Sequence, residues 1–171
     1  MTTTTTATTT RKHVLSVLVE NKFGVLARIS TLIAGRAFNI DSLAVGETED
    51  PSTSRMTIVV DGDDKTIERV KKQLNRLIDV ISIQDLTKEE HLDLELLMCK
   101  VSVTPKTRPE VVEIARTLKA EVADVGVKTL TVLMVGDQTK VKTFLELVKP
   151  YGIKEIVRTG RVAMSRNGGG N

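Results

Sequence analysis

Histidine, cysteine and aromatic side chains are scarce in this chain, and the scarcity removes most catalytic chemistries at the outset. Its 171 residues include two histidines, one cysteine, no tryptophan and four aromatic rings, Phe23, Phe38, Phe144 and Tyr151. His13 and His91 stand far apart, and neither has a second histidine or a cysteine at ligand spacing, so no metal site is expected and both read as solvated. Cys99 alone cannot form an intramolecular disulfide and is expected to be a buried small hydrophobe in a cytoplasmic protein. No nucleophile elbow, P-loop or Gly-rich dinucleotide fingerprint is present. No stretch approaches the roughly 18 consecutive apolar residues of a membrane span. No basic start leads into an apolar run either, so neither membrane contact nor a signal peptide is expected. The chain is expected to work by binding, not by catalysis.

Charge excludes a further class. The chain carries 25 Lys+Arg against 22 Asp+Glu, a formal net charge of +3. Residues 1–85 hold 11 basic and 11 acidic side chains, and residues 149–171 hold 5 and 1, so the excess is a basic C-terminal end. With no basic face and few aromatics to stack on bases, nucleic acid is not an expected partner. Arg158, Arg161 and Arg166 read as an interaction surface or, more simply, as solvated charge.

What is present alternates between strand-like and helix-like periods. Eight threonines in residues 1–10 read with Arg11 as a disordered tail, and residues 167–171 (NGGGN) as a flexible end. Val14–Glu20 is a nearly continuous apolar run of strand length. Val25, Leu26, Ile29, Leu32 and Ile33 recur at helical spacing, with Arg28 and Arg36 facing away. A second strand is expected around Ile40–Gly46, then a polar loop through Glu47–Ser54, and a third strand, Met56–Val60, stopped by Asp61-Gly62. Asp63 is a plausible N-cap for a helix whose stripe is Ile67, Val70, Leu74, Leu77 and Ile78. Val80, Ile81 and Ile83 make a fourth strand. After a polar hinge, Thr87–His91, the order repeats: a strand over Leu92–Val103, a helix opened near Pro109, strands over Glu121–Val125 and Val127–Val135, a helix after Gly136-Asp137, and a last strand, Ile153–Val162. The fold class is therefore α+β, two consecutive ferredoxin-like β-α-β-β-α-β modules over residues 12–87 and 88–166. Modules this small leave faces and edges open, which predicts at least a homodimer.

One turn invites a ligand. Asn21-Lys22-Phe23-Gly24 joins a strand to a helix start, where N–H groups lack intrahelical partners and the dipole adds positive charge. A small carboxylate is held well at such a place. Two readings stay open on the residues alone: Asn21 and Gly24 contact a ligand, or Asn21 caps the helix and Gly24 makes a tight turn. Asn39, between Phe38 and Ile40, divides in the same way between a ligand contact and turn chemistry.

Three segments resolve these choices by resemblance. LSVLVENKFGVLARI (15–29), GRAFNIDSLAVGETEDPSTSRMTIVV (35–60) and RTGRVAMSR (158–166) resemble the regulatory small subunit of acetolactate synthase, with the first module an ACT domain. The resemblance implies a regulator of branched-chain amino-acid biosynthesis. It would activate a large catalytic subunit that holds thiamine diphosphate, FAD and magnesium, and would confer feedback inhibition by valine. It also implies a homodimer through the ACT domains, with valine bound between two chains. Asn21, Lys22, Phe23, Gly24, Val25 and Leu26 would come from one chain, and Asn39 and Ile40 from the other. No catalytic residue and no cofactor is implied for this chain. The Glu47–Arg55 loop, long and polar for a hairpin, is the expected contact with the large subunit. A stand-alone amino-acid-binding regulator and an acylphosphatase-type hydrolase using Arg28 and Asn39 are the competing readings. The first lacks any basic DNA-reading segment, and for the second nothing places its two residues together.

Overall fold

The computed structural model describes residues 11–34 and 39–166, so the expectations for Arg36, Phe38 and residues 1–10 and 167–171 lie outside the described residues. The first module comprises β1 (Arg11–Glu20), α1 (Val25–Ala34), β2 (Ile40–Glu47), β3 (Thr53–Gly62), α2 (Asp64–Leu74) and β4 (Val80–Asp85). Its antiparallel sheet has the order β2-β3-β1-β4. The central place of β1 explains its apolar run. Leu15, Val17 and Val19 pack under the helices with Ile29, Ile33, Ile67, Val70 and Leu74. On the opposite face, Val14 packs with Val59, Leu86 and Ala163.

The local signals act as the sequence implies. Val25, Ile29 and Ile33 form the buried stripe of α1 at i, i+4 spacing. The Asp63 carboxylate caps α2 by accepting from the Thr66 N–H at 2.7 Å. That bond holds the Asp63 carboxyl below the usual range. A depressed carboxyl stabilises the fold above its ordinary pKa, and this contribution is lost as pH falls through the lowered value.

Several expectations need correction. Arg11 belongs to β1 and not to a tail, pairing with Gly62. Asp61-Gly62 continues β3 because Arg11 and Lys12 extend the ladder beside it. The α2 stripe ends at Leu74, since Arg76 and Leu77 donate to the carbonyls of Gln73 and Leu74 and tighten the chain into a turn. Leu77 still packs against the core, but Ile78 is swung out and is 94% exposed. His13 is fully buried, not solvated, with the Asp64 carboxylate 3.7 Å from its Nε2. The Thr87–His91 segment is pinned: Leu86 is buried, and Thr87 Oγ1 accepts from the Val14 N–H at 2.8 Å.

The second module comprises β5 (His91–Ser102), α3 (Arg108–Thr117), β6 (Glu121–Val125), β7 (Thr129–Gly136), α4 (Gln138–Val148) and β8 (Ile153–Arg158), and β9 (Val162–Ser165) follows it in the chain. Its sheet runs β6-β7-β5-β8, with β9 also on β5. The core gathers Leu97, Cys99 and Val101 with Val132, Met134, Val141 and Phe144. Burial pushes the Cys99 thiol up to about 11, so it is an inert part of the packing. The expected last strand, Ile153–Val162, breaks in two at Gly160, whose φ is +76°. Arg158 and Arg161 are not free surface charge. Arg158 Nε donates to Glu95, whose side chain is 3% exposed, and Arg161 pairs with Asp93. By contacts, the described residues up to Leu92 and those from Ala163 onward form one compact unit, and Asp93–Val162 the other.

Asp137 caps α4 as Asp63 caps α2, accepting from the Lys140 N–H at 2.8 Å. Asp137→Ala is expected to cost about 1 kcal/mol, read as a lower urea midpoint at unchanged slope.

Candidate effector-binding site

The turn between β1 and α1 is held from three sides. Asn21 N–H donates to the Ser52 carbonyl at 2.7 Å, tying the turn to the β2–β3 hairpin, and Glu20 N–H donates to the Asp79 carbonyl at 2.9 Å. The Asp79 carboxylate, 10% exposed, pairs with Arg28 of α1 at 2.7 Å and fixes the helix over the end of β1. Gly24 has φ +83°, a left-handed conformation that glycine adopts without strain, and a Cβ there would meet nothing within 4 Å. The Val25 N–H is taken by the Lys22 carbonyl at 3.3 Å, and Gly24 O accepts the first full helical bond, from Arg28 at 3.0 Å. Among the described residues no partner is found for the N–H groups of Leu26 and Ala27, the usual state of a helix start.

The side chains divide sharply. Val25 is buried at 3% exposure and anchors α1, while Phe23 at 102% and Leu26 at 44% project outward. Lys22 is turned to Glu20 at 2.8 Å, and this bond with its attraction raises the ammonium's pKa. Asn21 does not cap the helix. Its Nδ2 donates to Glu47 Oε1 and to the Pro51 carbonyl, each at 3.0 Å. Glu47, Pro51, Ser52 and Asp79 are thus parts of this turn that sequence reasoning missed. Their partners lie 26 or more residues away, and no local spacing announces them.

Asn39 and Ile40 lie elsewhere. Ile40 opens β2 opposite Val60, which also faces His13 near the start of β1. Asn39 is exposed, and its carbonyl accepts from the Asp61 N–H at 3.3 Å. Since β1 and β2 both run antiparallel to β3, the Asn21 turn sits at the Glu47 end of β2. Seven residues of extended chain, about 23 Å, separate that end from Ile40. Within one chain the structure does not bring the two motifs together.

The hairpin that grips Asn21 is rigid at its tip. Thr48 Oγ1 and Thr53 Oγ1 share a hydrogen bond of 2.5 Å, and Thr53 N–H donates to the Asp50 carbonyl at 2.9 Å. Ser52 N–H donates to the Asp50 carboxylate at 2.9 Å, and the Ser52 bonds hold that carboxyl below its ordinary range. Glu49 is exposed on this tip, and Arg55 on β3 donates to Ser16 Oγ at 3.2 Å. A groove of about 410 Å³ between α4 and β8 is a weaker candidate, because its Lys142 and Arg158 are already paired with Glu146 and Glu95.

Comparison with known proteins adds the decisive observation. Residues 15–82 match the family described as AHAS small subunit-like ACT domain, and residues 94–167 match that described as small subunit of acetolactate synthase. An acetolactate synthase small subunit from Aquifex aeolicus is 50% identical over 157 residues, covering 91% of this chain and 82% of the relative. The chain belongs to the acetolactate synthase small-subunit family. A probable acetolactate synthase small subunit from Archaeoglobus fulgidus is 48% identical over 155 residues, covering 91% of this chain and 97% of the relative. The crystal structure of the acetolactate synthase small subunit from Thermotoga maritima superposes with a TM-score of 0.84 at 36% identity, over 91% of this chain and 98% of that one. The fold, two ferredoxin-like modules of which the first is an ACT domain, is the family's. Among the described residues no three His, Cys, Asp or Glu side chains are grouped to hold a metal ion, and no helix is long and apolar enough to cross a membrane.

Proposed function

We propose that this chain is the non-catalytic regulatory subunit of a cytoplasmic acetolactate synthase. It binds a large subunit that holds thiamine diphosphate, FAD and magnesium, raises its activity, and makes it sensitive to valine, an end product of the branched-chain pathway. Residues 12–87 would serve as the ACT regulatory domain and residues 88–166 as the C-terminal domain. The observation that carries this reading is the separation of the two motifs along β2. A ligand needing both must take them from two chains, and an effector shared between copies has different affinity for different arrangements of them. A coupling of about 1–3 kcal/mol is sufficient for useful feedback.

The route to such a pair is the free side of β2, the edge strand of its sheet. If β2 pairs antiparallel with its counterpart about Leu43–Ala44, residues 39–41 of one copy lie against Glu47 of the other. Asn39 and Ile40 then meet the Asn21–Leu26 turn across the dimer, twice. Helix-start N–H groups take the carboxylate, and Val25, Leu26 and Ile40 shape the apolar side.

The test is to add this chain to the cognate large subunit and measure acetolactate formation with and without valine. Activation together with valine inhibition is expected, and the absence of both overturns the reading. For the contact with the large subunit, charge reversal at Glu49 or Arg55 is expected to weaken activation. Unchanged activation in both variants removes the hairpin from that contact.

A further inference from the structure

We infer that Glu47 makes this site select an amino acid over the corresponding 2-oxo acid. The inference rests on the reading of the Asn21–Leu26 turn as the effector site and adds to it a residue that sets the chemical class of ligand. Both groups next to Asn21 Nδ2, the Glu47 carboxylate and the Pro51 carbonyl, lie at 3.0 Å and can only accept hydrogen bonds. The amide is therefore locked with its NH2 toward the hairpin and its Oδ1 turned away from it. Asn21 is left with an acceptor to offer a ligand.

The site is consequently polar along its length. The start of α1 supplies donors and partial positive charge. The Glu47 end supplies acceptors, Asn21 Oδ1 and the carboxylate itself. Lys22, the cation next in sequence, is occupied with Glu20 at 2.8 Å. Glu47 stands exposed on the helix-facing side of β2, opposite Ser54 and in line with Val45 and Leu43. A zwitterionic amino acid matches this polarity, carboxylate to the helix start and ammonium to the acceptors. A 2-oxo acid keeps the carboxylate but sets a carbonyl oxygen, itself an acceptor, against acceptors. Such mismatches discriminate more strongly than changes in apolar shape.

The variant that isolates the charge is Glu47→Gln, because its amide oxygen still accepts from Asn21 Nδ2 and keeps that amide in place. Valine and 3-methyl-2-oxobutanoate, its 2-oxo acid, are titrated into the full-length chain by calorimetry, and each is assayed as an inhibitor of the reconstituted complex. In Glu47→Gln the Kd for valine is expected to rise about 10-fold while that for the 2-oxo acid stays within about 2-fold. Glu47→Lys is expected to abolish the preference altogether. A Glu47→Gln chain with an unchanged valine to 2-oxo acid ratio, whether both bind as before or both weaken equally, overturns the inference. If Asn21→Ala and Gly24→Asp also leave valine binding intact, the site reading fails with it; if they abolish binding, only the role of Glu47 is lost.

Discussion

Gly24→Asp is expected to raise the valine concentration for half-inhibition by about 100-fold while leaving activation of the large subunit in place. The backbone there has φ +83° and the space around a Cβ is open to 4 Å, so the side chain itself is admitted without a clash. Asp is among the residues that tolerate the left-handed region, at a cost of about 1 kcal/mol. A carboxylate at the start of α1 also favours the helix dipole, which offsets part of that strain. The fold is thus retained. In the proposed site effector binding is not, because the new carboxylate would occupy the helix start and repel the ligand's own. Gly24→Ala separates the two causes: it carries the strain without the charge and is expected to shift valine sensitivity by less than about 5-fold. Acetolactate assays of both variants across a valine titration decide the matter. Equal effects of Ala and Asp would place the role of Gly24 in the backbone alone.

The parts of this fold that the sequence made legible are those set by near neighbours. The continuous apolar run of β1 announced a strand, though not its central place in the sheet, and Asp63 and Asp137 announced their helices because a cap and its N–H partner are three residues apart. Gly24 announced a tight turn, and it takes a positive φ. What stayed hidden depends on pairings across the chain. A cap stayed one of the two open readings of Asn21 because the residues that claim its amide, Glu47 and Pro51, arrive only when the β2–β3 hairpin closes beside β1. His13, Arg158 and Arg161 read as solvated because polarity does not reveal which groups will be covered or paired, as Arg158 is with Glu95 and Arg161 with Asp93. Ile78 shows the reverse, an apolar residue on the right spacing that the chain turns away before it can be buried. The family motifs NKFGVL and FNIDSL were readable as a pair, but their placement at opposite ends of β2 follows from strand order, which neither motif contains.

Val45→Lys is expected to separate the proposed dimer and abolish its valine response with one exposed substitution outside both motifs. β2 is an edge strand, and Val45 on it is 46% exposed, so the lysine disturbs little of the module's own core. Lysines on edge strands are a common means of preventing edge-to-edge pairing, since joining two sheets would desolvate the charge. With β2 paired to its counterpart about Leu43–Ala44, Val45 lies next to the two-fold axis, and two lysines would approach each other there, adding repulsion. The valine effect follows from geometry. A separated chain keeps Asn21–Leu26 and Asn39–Ile40 intact but about 23 Å apart, too far for one small amino acid to touch both. Affinity for valine is accordingly expected to fall about 100-fold although no proposed contact residue has changed. Val127→Lys, at a side chain 87% exposed in the turn between β6 and β7, serves as the control and is expected to leave both properties unaltered. Sedimentation velocity and calorimetry on the two variants separate the claims. A Val45→Lys chain that remains dimeric defeats the β2 pairing, and a monomer that binds valine as tightly as the parent defeats the shared site.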